Sequence, residues 1–218
     1  MSNSAHEAAE QLRAIRALME RSTIYRAISA PAAAFAGVLS LAVSAWMWMH
    51  RDPLEAPRPI VFLLIWLGVL FVVSAVNTVL LYRHAKQRGE VFISSGMKHA
   101  LRALLPPLLA GFILSLLEVN QAGMSGRNCH TNIAALWILF YGLALLATGS
   151  FSPRSMQALG AGFFAFGVLT FLPSVREMGG QQFPVAVIFM ATGFGLLHLI
   201  YAAAVWIQTR QESTSDGA

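Results

Sequence analysis

Long apolar runs separated by short polar segments occupy the chain from Ala27 to Ile207. Charged residues are scarce inside these runs and gather between them. A bilayer's hydrocarbon core is about 30 Å thick and needs about 20 apolar residues per crossing helix. Six runs approach or exceed that length, over 27–49, 59–82, 103–119, 131–149, 155–174 and 183–207. They are continuous rather than alternating with a period of two, which sets aside the strands of an outer-membrane barrel. The third run contains Pro106-Pro107 and Glu118, and the fifth is rich in Gly and Phe with Pro173 near its end. The pattern predicts an all-α polytopic membrane protein with six transmembrane helices.

Ahead of the first run, residues 5–23 place Leu12, Ile15, Leu18 and Met19 on one helical face, with Arg13, Arg16, Glu20 and Arg21 largely elsewhere. This is the spacing of an amphipathic helix. It can lie on the anionic inner leaflet, or extend the first span into the cytoplasm. The organisation read from the sequence is a cytoplasmic amphipathic helix over 1–23, a six-helix transmembrane domain over 24–207 and a polar cytoplasmic tail over 208–218. The first segment has no apolar core of a signal peptide, so the first span is expected to serve as an uncleaved insertion signal.

Composition supports the same class. Of 218 residues, 56% are hydrophobic and only 11% charged, too few to coat a water-soluble domain. The position of the charges matters more than the net value of +5. Arg13, Arg16, Arg21, Arg26, Arg83, Lys86, Arg88, Lys98, Arg102, Arg154 and Arg210 fall on one side of the expected topology, and Arg51, Arg58, Arg127 and Arg176 on the other. The positive-inside rule then places both termini in the cytoplasm. Tyr25, Trp46, Trp48, Tyr82 and Trp206 sit at span ends, where an aromatic belt is expected. No basic patch interleaved with aromatics accompanies the positive charge, so no nucleic-acid partner is expected. The single cysteine, Cys129, excludes an internal disulfide, and Asn128-Cys129-His130 lacks the second cysteine of a haem-attachment motif.

The spans pair into three candidate hairpin repeats. Arg26, Arg102 and Arg154 open the odd-numbered spans, and Gly68, Gly142 and Gly195 mark the even-numbered ones. Arg26 to Pro31 and Arg102 to Pro107 share Arg-Ala-(Ile/Leu)-x-x-Pro, and Ala36-Gly37 and Ala110-Gly111 follow. Three parallel repeats would relate the hairpins by an axis along the membrane normal. The competing explanation is that Leu, Ala and Gly dominate any span and that arginine belongs at a cytoplasmic end.

Ionisable and polar groups inside a span are costly and therefore informative. His198 lies in the sixth span. A neutral imidazole there can bond a neighbouring helix, relay protons or ligate a metal. Asn77, Arg26, Ser29, Arg102 and Tyr201 share its cytoplasmic half, and together the six make a candidate ligand-binding cavity. Against this stand snorkelling arginines and an asparagine serving as interhelical glue. Glu118, near the opposite end of the third span, is a candidate ion-coupling group, with Arg127 or Arg176 as expected partners or a local cap shared with Asn120. No metal site and no cofactor is expected. His-Glu-x-x-His and a rhomboid-like Ser/His pair are both missing, so the residues offer no basis for an enzyme.

Four segments carry a resemblance: Ile15 to Arg21 leading into Tyr25–Pro31; Gly96-Met97-Lys98 with Leu101–Pro107; Phe140–Thr148; and Gly195–Tyr201. The chain resembles an uncharacterised family of bacterial six-span inner-membrane proteins with no established activity. The resemblance implies a bacterial inner membrane and lends no mechanism. Two function classes follow. One is a non-enzymatic accessory or sensory membrane component, with the lipid bilayer, a second copy or a membrane-protein partner as its contacts. The other is a small-solute or ion transporter or channel with a cytoplasm-facing polar site.

Overall fold

The computed structural model describes residues 29–52, 56–88, 95–125, 128–149, 152–177 and 182–215. The amphipathic helix expected over 5–23, and Arg26, lie outside these residues. The described residues are helical, without strands.

Helix α1 (Ala30–Met49) starts where the sequence supplies a cap. Ser29 is extended, its hydroxyl accepts the Ala32 N–H at 3.3 Å, and Pro31 occupies the first turn, where its missing N–H costs nothing. The helix ends at His50. There Arg51 donates to the Trp48 carbonyl at 3.0 Å and lays its guanidinium 3.8 Å from the Trp48 ring centroid. At 1.5 Å per residue, α1 is about 30 Å long, the thickness of the hydrocarbon core.

Helices α2 (Pro59–Arg88) and α3 (Ser95–Ser125) follow, and α3 runs through both Pro106 and Pro107. The two prolines withdraw N–H donors but leave the apolar helix continuous. Next come α4 (His130–Ala147), α5 (Arg154–Leu169) and a short α6 (Pro173–Glu177). The last rod begins as α7 (Gln182–Met190), passes through a π-helical turn (Ala191–Leu197) and continues as α8 (His198–Ser215).

Among the described residues five helices are long and apolar enough to cross a membrane: Ala30–Met49, Pro59–Gln87, Met97–Ser125, His130–Ala147 and Gln182–Gln211. The chain is built as a membrane protein. The fifth expected span differs from the reading of 155–174, because α5 stops at Leu169. Thr170 turns its hydroxyl onto the Gly167 carbonyl at 2.6 Å, and Pro173 opens α6 instead of extending α5. Sixteen residues give α5 a length of about 24 Å, shorter than the core.

The tightest packing joins α4 and α5, and it depends on glycine. A Cβ on Gly142 would stand 2.4 Å from the backbone nitrogen of Phe164, and one on Gly167 would stand 2.6 Å from the Leu139 Cα. Gly160 faces Leu145 and Leu146 in the same way. Backbone is pressed against backbone, as small residues allow in membrane helices. The turn between the two helices is tied as well. Ser152 donates to the Thr148 hydroxyl at 3.0 Å, and Gln157 donates to the Gly149 carbonyl at 2.8 Å. Elsewhere Gly111 seats Phe140 of α4 against α3. On α1, Ala33, Ala36, Gly37, Ser40 and Ser44 form a buried small-residue face. Gly37 of this face lies against Leu199 and the Gly195 carbonyl of the last rod.

By contrast, only 17% of the apolar windows of α2 and α3 is buried, against 50% for α4 and the last rod. Phe71, Val79, Leu109 and Ile113 point outward. Such faces suit a lipid surround.

The three glycines aligned as repeat markers occupy unlike environments. Gly142 meets the α5 backbone, Gly195 meets Leu41 of α1, and Gly68 has nothing within 4 Å. Gly68→Ala is therefore expected to leave stability in detergent micelles unchanged within about 0.5 kcal/mol, or to raise it slightly through alanine's better helix propensity. A thermal melt checks this.

Candidate functional site

The centre of the bundle holds one buried histidine in a box of rings. His198 is 4% exposed. Phe163 of α5 and Phe194 of the π turn stand with ring centroids 5.2 and 6.0 Å from it, and Tyr141 of α4 at 5.6 Å. Both ring nitrogens are engaged. Nε2 lies 3.0 Å from the Tyr141 hydroxyl, and Nδ1 lies 3.0 Å from the Phe194 carbonyl. A carbonyl only accepts, so Nδ1 carries a proton and donates to Phe194, while Nε2 shares a hydrogen bond with the Tyr141 hydroxyl. The imidazole is fixed in orientation by contacts from α4 and from its own rod.

Phe194 lies in the π turn, and the His198 backbone N–H that closes the turn donates to the Gly195 carbonyl. The His198 side chain reaches the Phe194 carbonyl one residue earlier. Gly193 and Gly195 let the widened turn sit against Ile138 and Leu41.

Of the residues expected to share a cavity with His198, Tyr201 lies near its partner Tyr141, and the others sit elsewhere. Asn77 of α2 is half-buried and accepts the Ser29 N–H at 3.4 Å, joining α2 to the start of α1. His198 follows Gly195 and precedes Leu199, the two contacts of Gly37, which lies eight residues beyond Ser29 on α1. Measured along α1, Asn77 and His198 are about 12 Å apart in depth. Tyr201 is buried on α8, nearly one turn beyond His198, and Arg102 is exposed on α3. The structure brings Asn77 and Ser29, two of the expected set, into one contact, and it gathers His198 with Tyr141 in another. Arg26 lies outside the described residues.

Glu118 lies in a second site, at the far end of α3. Its Oε2 accepts from the Asn132 side-chain amide at 2.9 Å. Asn132, rather than Asn120, is the partner the fold supplies, because the start of α4 folds back beside the end of α3. Arg127 and the side chain of Arg176, the other expected partners, lie outside the description. Gln121, Ala122, Met124, Ser125, Asn128, Cys129 and Asn132 complete a cleft of about 300 Å³ around the carboxylate. Nearby, His130 Nδ1 donates to the Asn128 side-chain amide oxygen, and its ring packs edge-on against Phe62 and Phe183.

Burial, and then the negative charge of Glu118, push the Cys129 thiol up to about 11. At pH 8 its thiolate fraction is then about a hundredfold below that of an ordinary buried-free thiol, so maleimide labelling of folded protein is expected to be slow and to climb steadily with pH. The folded state holds the proton more tightly than the unfolded one. The stability from this linkage is present below pH 9 and is lost as pH rises toward 11. Glu118→Gln removes the charge and should accelerate labelling at pH 8, read by intact mass.

Tyr141, Asn132 and the π turn were not among the residues singled out from the sequence. Tyr141 reads there as one more aromatic in an apolar run. Among the described residues no group of three His, Cys, Asp or Glu side chains is placed to hold a metal ion.

The fold and these sites define a membrane-spanning helical bundle with a buried hydrogen-bonded histidine. In comparisons with known proteins, no family model, no curated protein and no solved structure matched the chain.

Proposed function

We propose that the chain is a six-span protein of a bacterial inner membrane, with both termini in the cytoplasm, and that it works as a non-enzymatic accessory or sensory component through helix contacts with a second copy or a membrane partner. α5 is the short fifth crossing, which brings the count to six. The observation that carries the functional reading is the state of His198. Its two ring nitrogens are spent on Tyr141 and Phe194, so the imidazole joins α4 to the last rod and leaves neither nitrogen open to a further partner. The sparse burial of α2 and α3 supports the same reading, since these helices have faces free for lipid or for another helix.

A transporter or channel is the second reading. It draws on the π turn beside His198, because such turns recur at functional positions in membrane helices. It also keeps the three hairpins as repeats around a polar path through Asn77, Arg102, Tyr201 and His198.

Native mass spectrometry of the tagged protein, extracted mildly from host membranes, separates the two. A stoichiometric membrane protein or a discrete homo-oligomer is the expected result. A monomer carrying a small solute, with retention reduced by Tyr141→Phe, would overturn the accessory reading in favour of transport.

A further inference from the structure

We infer that the cleft between the end of α3 and the start of α4 binds a primary ammonium group, presented by a small free amine or by an ethanolamine lipid headgroup. Among the described residues Glu118 is the one carboxylate in the lining, and it is half-buried. Asn132 fixes it by bonding Oε2, which leaves Oε1 without a hydrogen-bond partner among the described residues. The other described polar residues of the lining, Gln121, Ser125, Asn128 and Asn132, are neutral. A single negative charge among amides and a hydroxyl is complementary to one positive charge with several N–H donors, as an ammonium has.

Other cations fit the lining less well. Calcium takes six to eight oxygen ligands, commonly from several carboxylates, and magnesium demands near-octahedral geometry. A quaternary ammonium has no N–H donors and is held by aromatic faces, and the cleft has no aromatic residue. The volume, about 300 Å³, stands at the small end of ligand sites and admits an amine of a few carbons or one headgroup. Met124, 75% exposed at the rim, offers a soft apolar contact to methylene groups. The cleft lies at the end of the bundle shared by the starts of α2, α4 and α7, where Phe62, His130 and Phe183 meet. That is the level at which a lipid headgroup would lie in a spanning orientation. The inference is independent of the accessory reading, because a chain with no protein partner can still fill this cleft.

The test uses the full chain in two settings. In phosphatidylcholine nanodiscs, equilibrium dialysis measures binding of radiolabelled putrescine, with butane-1,4-diol as the uncharged competitor of similar length. In nanodiscs of equal phosphatidylethanolamine and phosphatidylcholine, native mass spectrometry of the released protein measures which lipid is retained. Saturable putrescine binding that the diol does not displace identifies a free amine. Preferential retention of phosphatidylethanolamine identifies the headgroup. Either supports the inference if Glu118→Gln weakens it by about tenfold, the loss of one charge-assisted contact. Gln121→Arg, at an exposed position that leaves the fold intact, sets a permanent cation at the cleft and should give a similar loss. Three results would overturn the inference. One is neither ligand binding to folded wild-type protein. Another is Glu118→Gln and Gln121→Arg both binding within twofold of wild type. The third is binding seen only after Arg127→Ala, which would mean that the chain's own guanidinium fills the site.

Discussion

Gly142→Ala is expected to be the most damaging single-atom change in this protein. The added Cβ would lie 2.4 Å from the Phe164 nitrogen and 2.9 Å from the Phe163 carbonyl carbon. Both are backbone atoms, so no side-chain rotation can make room. Helices α4 and α5 must move apart, and the turn hydrogen bonds of Ser152 and Gln157 oppose that movement. Overpacking a rigid contact costs typically 1–3 kcal/mol, and a backbone-to-backbone clash belongs at about 3. Gly167→Ala, facing Leu139 from the other helix, should behave alike. The measurement is a denaturing-detergent titration of the purified protein, with Gly68→Ala as the matched control. Equal midpoints for Gly142→Ala and Gly68→Ala would refute the close α4–α5 contact.

His198→Ala ranks second. It removes a buried imidazole from a box of three rings and leaves two polar groups, the Tyr141 hydroxyl and the Phe194 carbonyl, without partners. The void and the two orphaned groups together are expected to cost about 3 kcal/mol. Tyr141→Phe keeps the ring packing and loses one hydrogen bond. Its expected cost is about 1 kcal/mol, in line with interhelical hydrogen bonds in membranes. The same detergent titration reads both, and a His198→Ala midpoint no lower than that of Tyr141→Phe would mean that the histidine does not hold the π turn. The ordering also separates the functional readings. A structural histidine shows its loss in stability, whereas a transport group would show it in flux while stability held.

Much of this architecture is legible in the hydrophobic pattern, because helix length in a membrane is set by an external thickness. The starts of α1, α2 and α4 fall within three residues of the expected spans, and Pro31 and Pro59 mark two of them. Helix ends in polar surroundings are less constrained. α3 continues to Ser125 and the last rod to Ser215, since nothing in those sequences interrupts backbone bonding. α5 is shorter than expected because Thr170 and Pro173 act locally, within a run that is apolar as a whole.

The sites are less legible, for a geometric reason. Depth can be counted along a span, but azimuth cannot. Asn77 and His198 share a half of the membrane by counting, yet Asn77 turns to Ser29 and His198 to Tyr141. Glycine has the same limitation. Gly68 and Gly142 look equivalent in an alignment of spans, and only packing shows that one is open and the other pressed to backbone. The π turn has no composition signature beyond Gly193 and Gly195, and the Phe194 carbonyl that His198 reaches within it is found only from the hydrogen bonds.

The account turns most on α5, because five crossings would put the termini on opposite sides of the membrane and six would return them to the same side. Single cysteines at positions 3 and 217, in a Cys129→Ser background, can be labelled in intact cells and in inverted vesicles with a membrane-impermeant maleimide. The account predicts that both are protected in cells and both react in inverted vesicles. Labelling of one terminus in cells and the other only in inverted vesicles would contradict it.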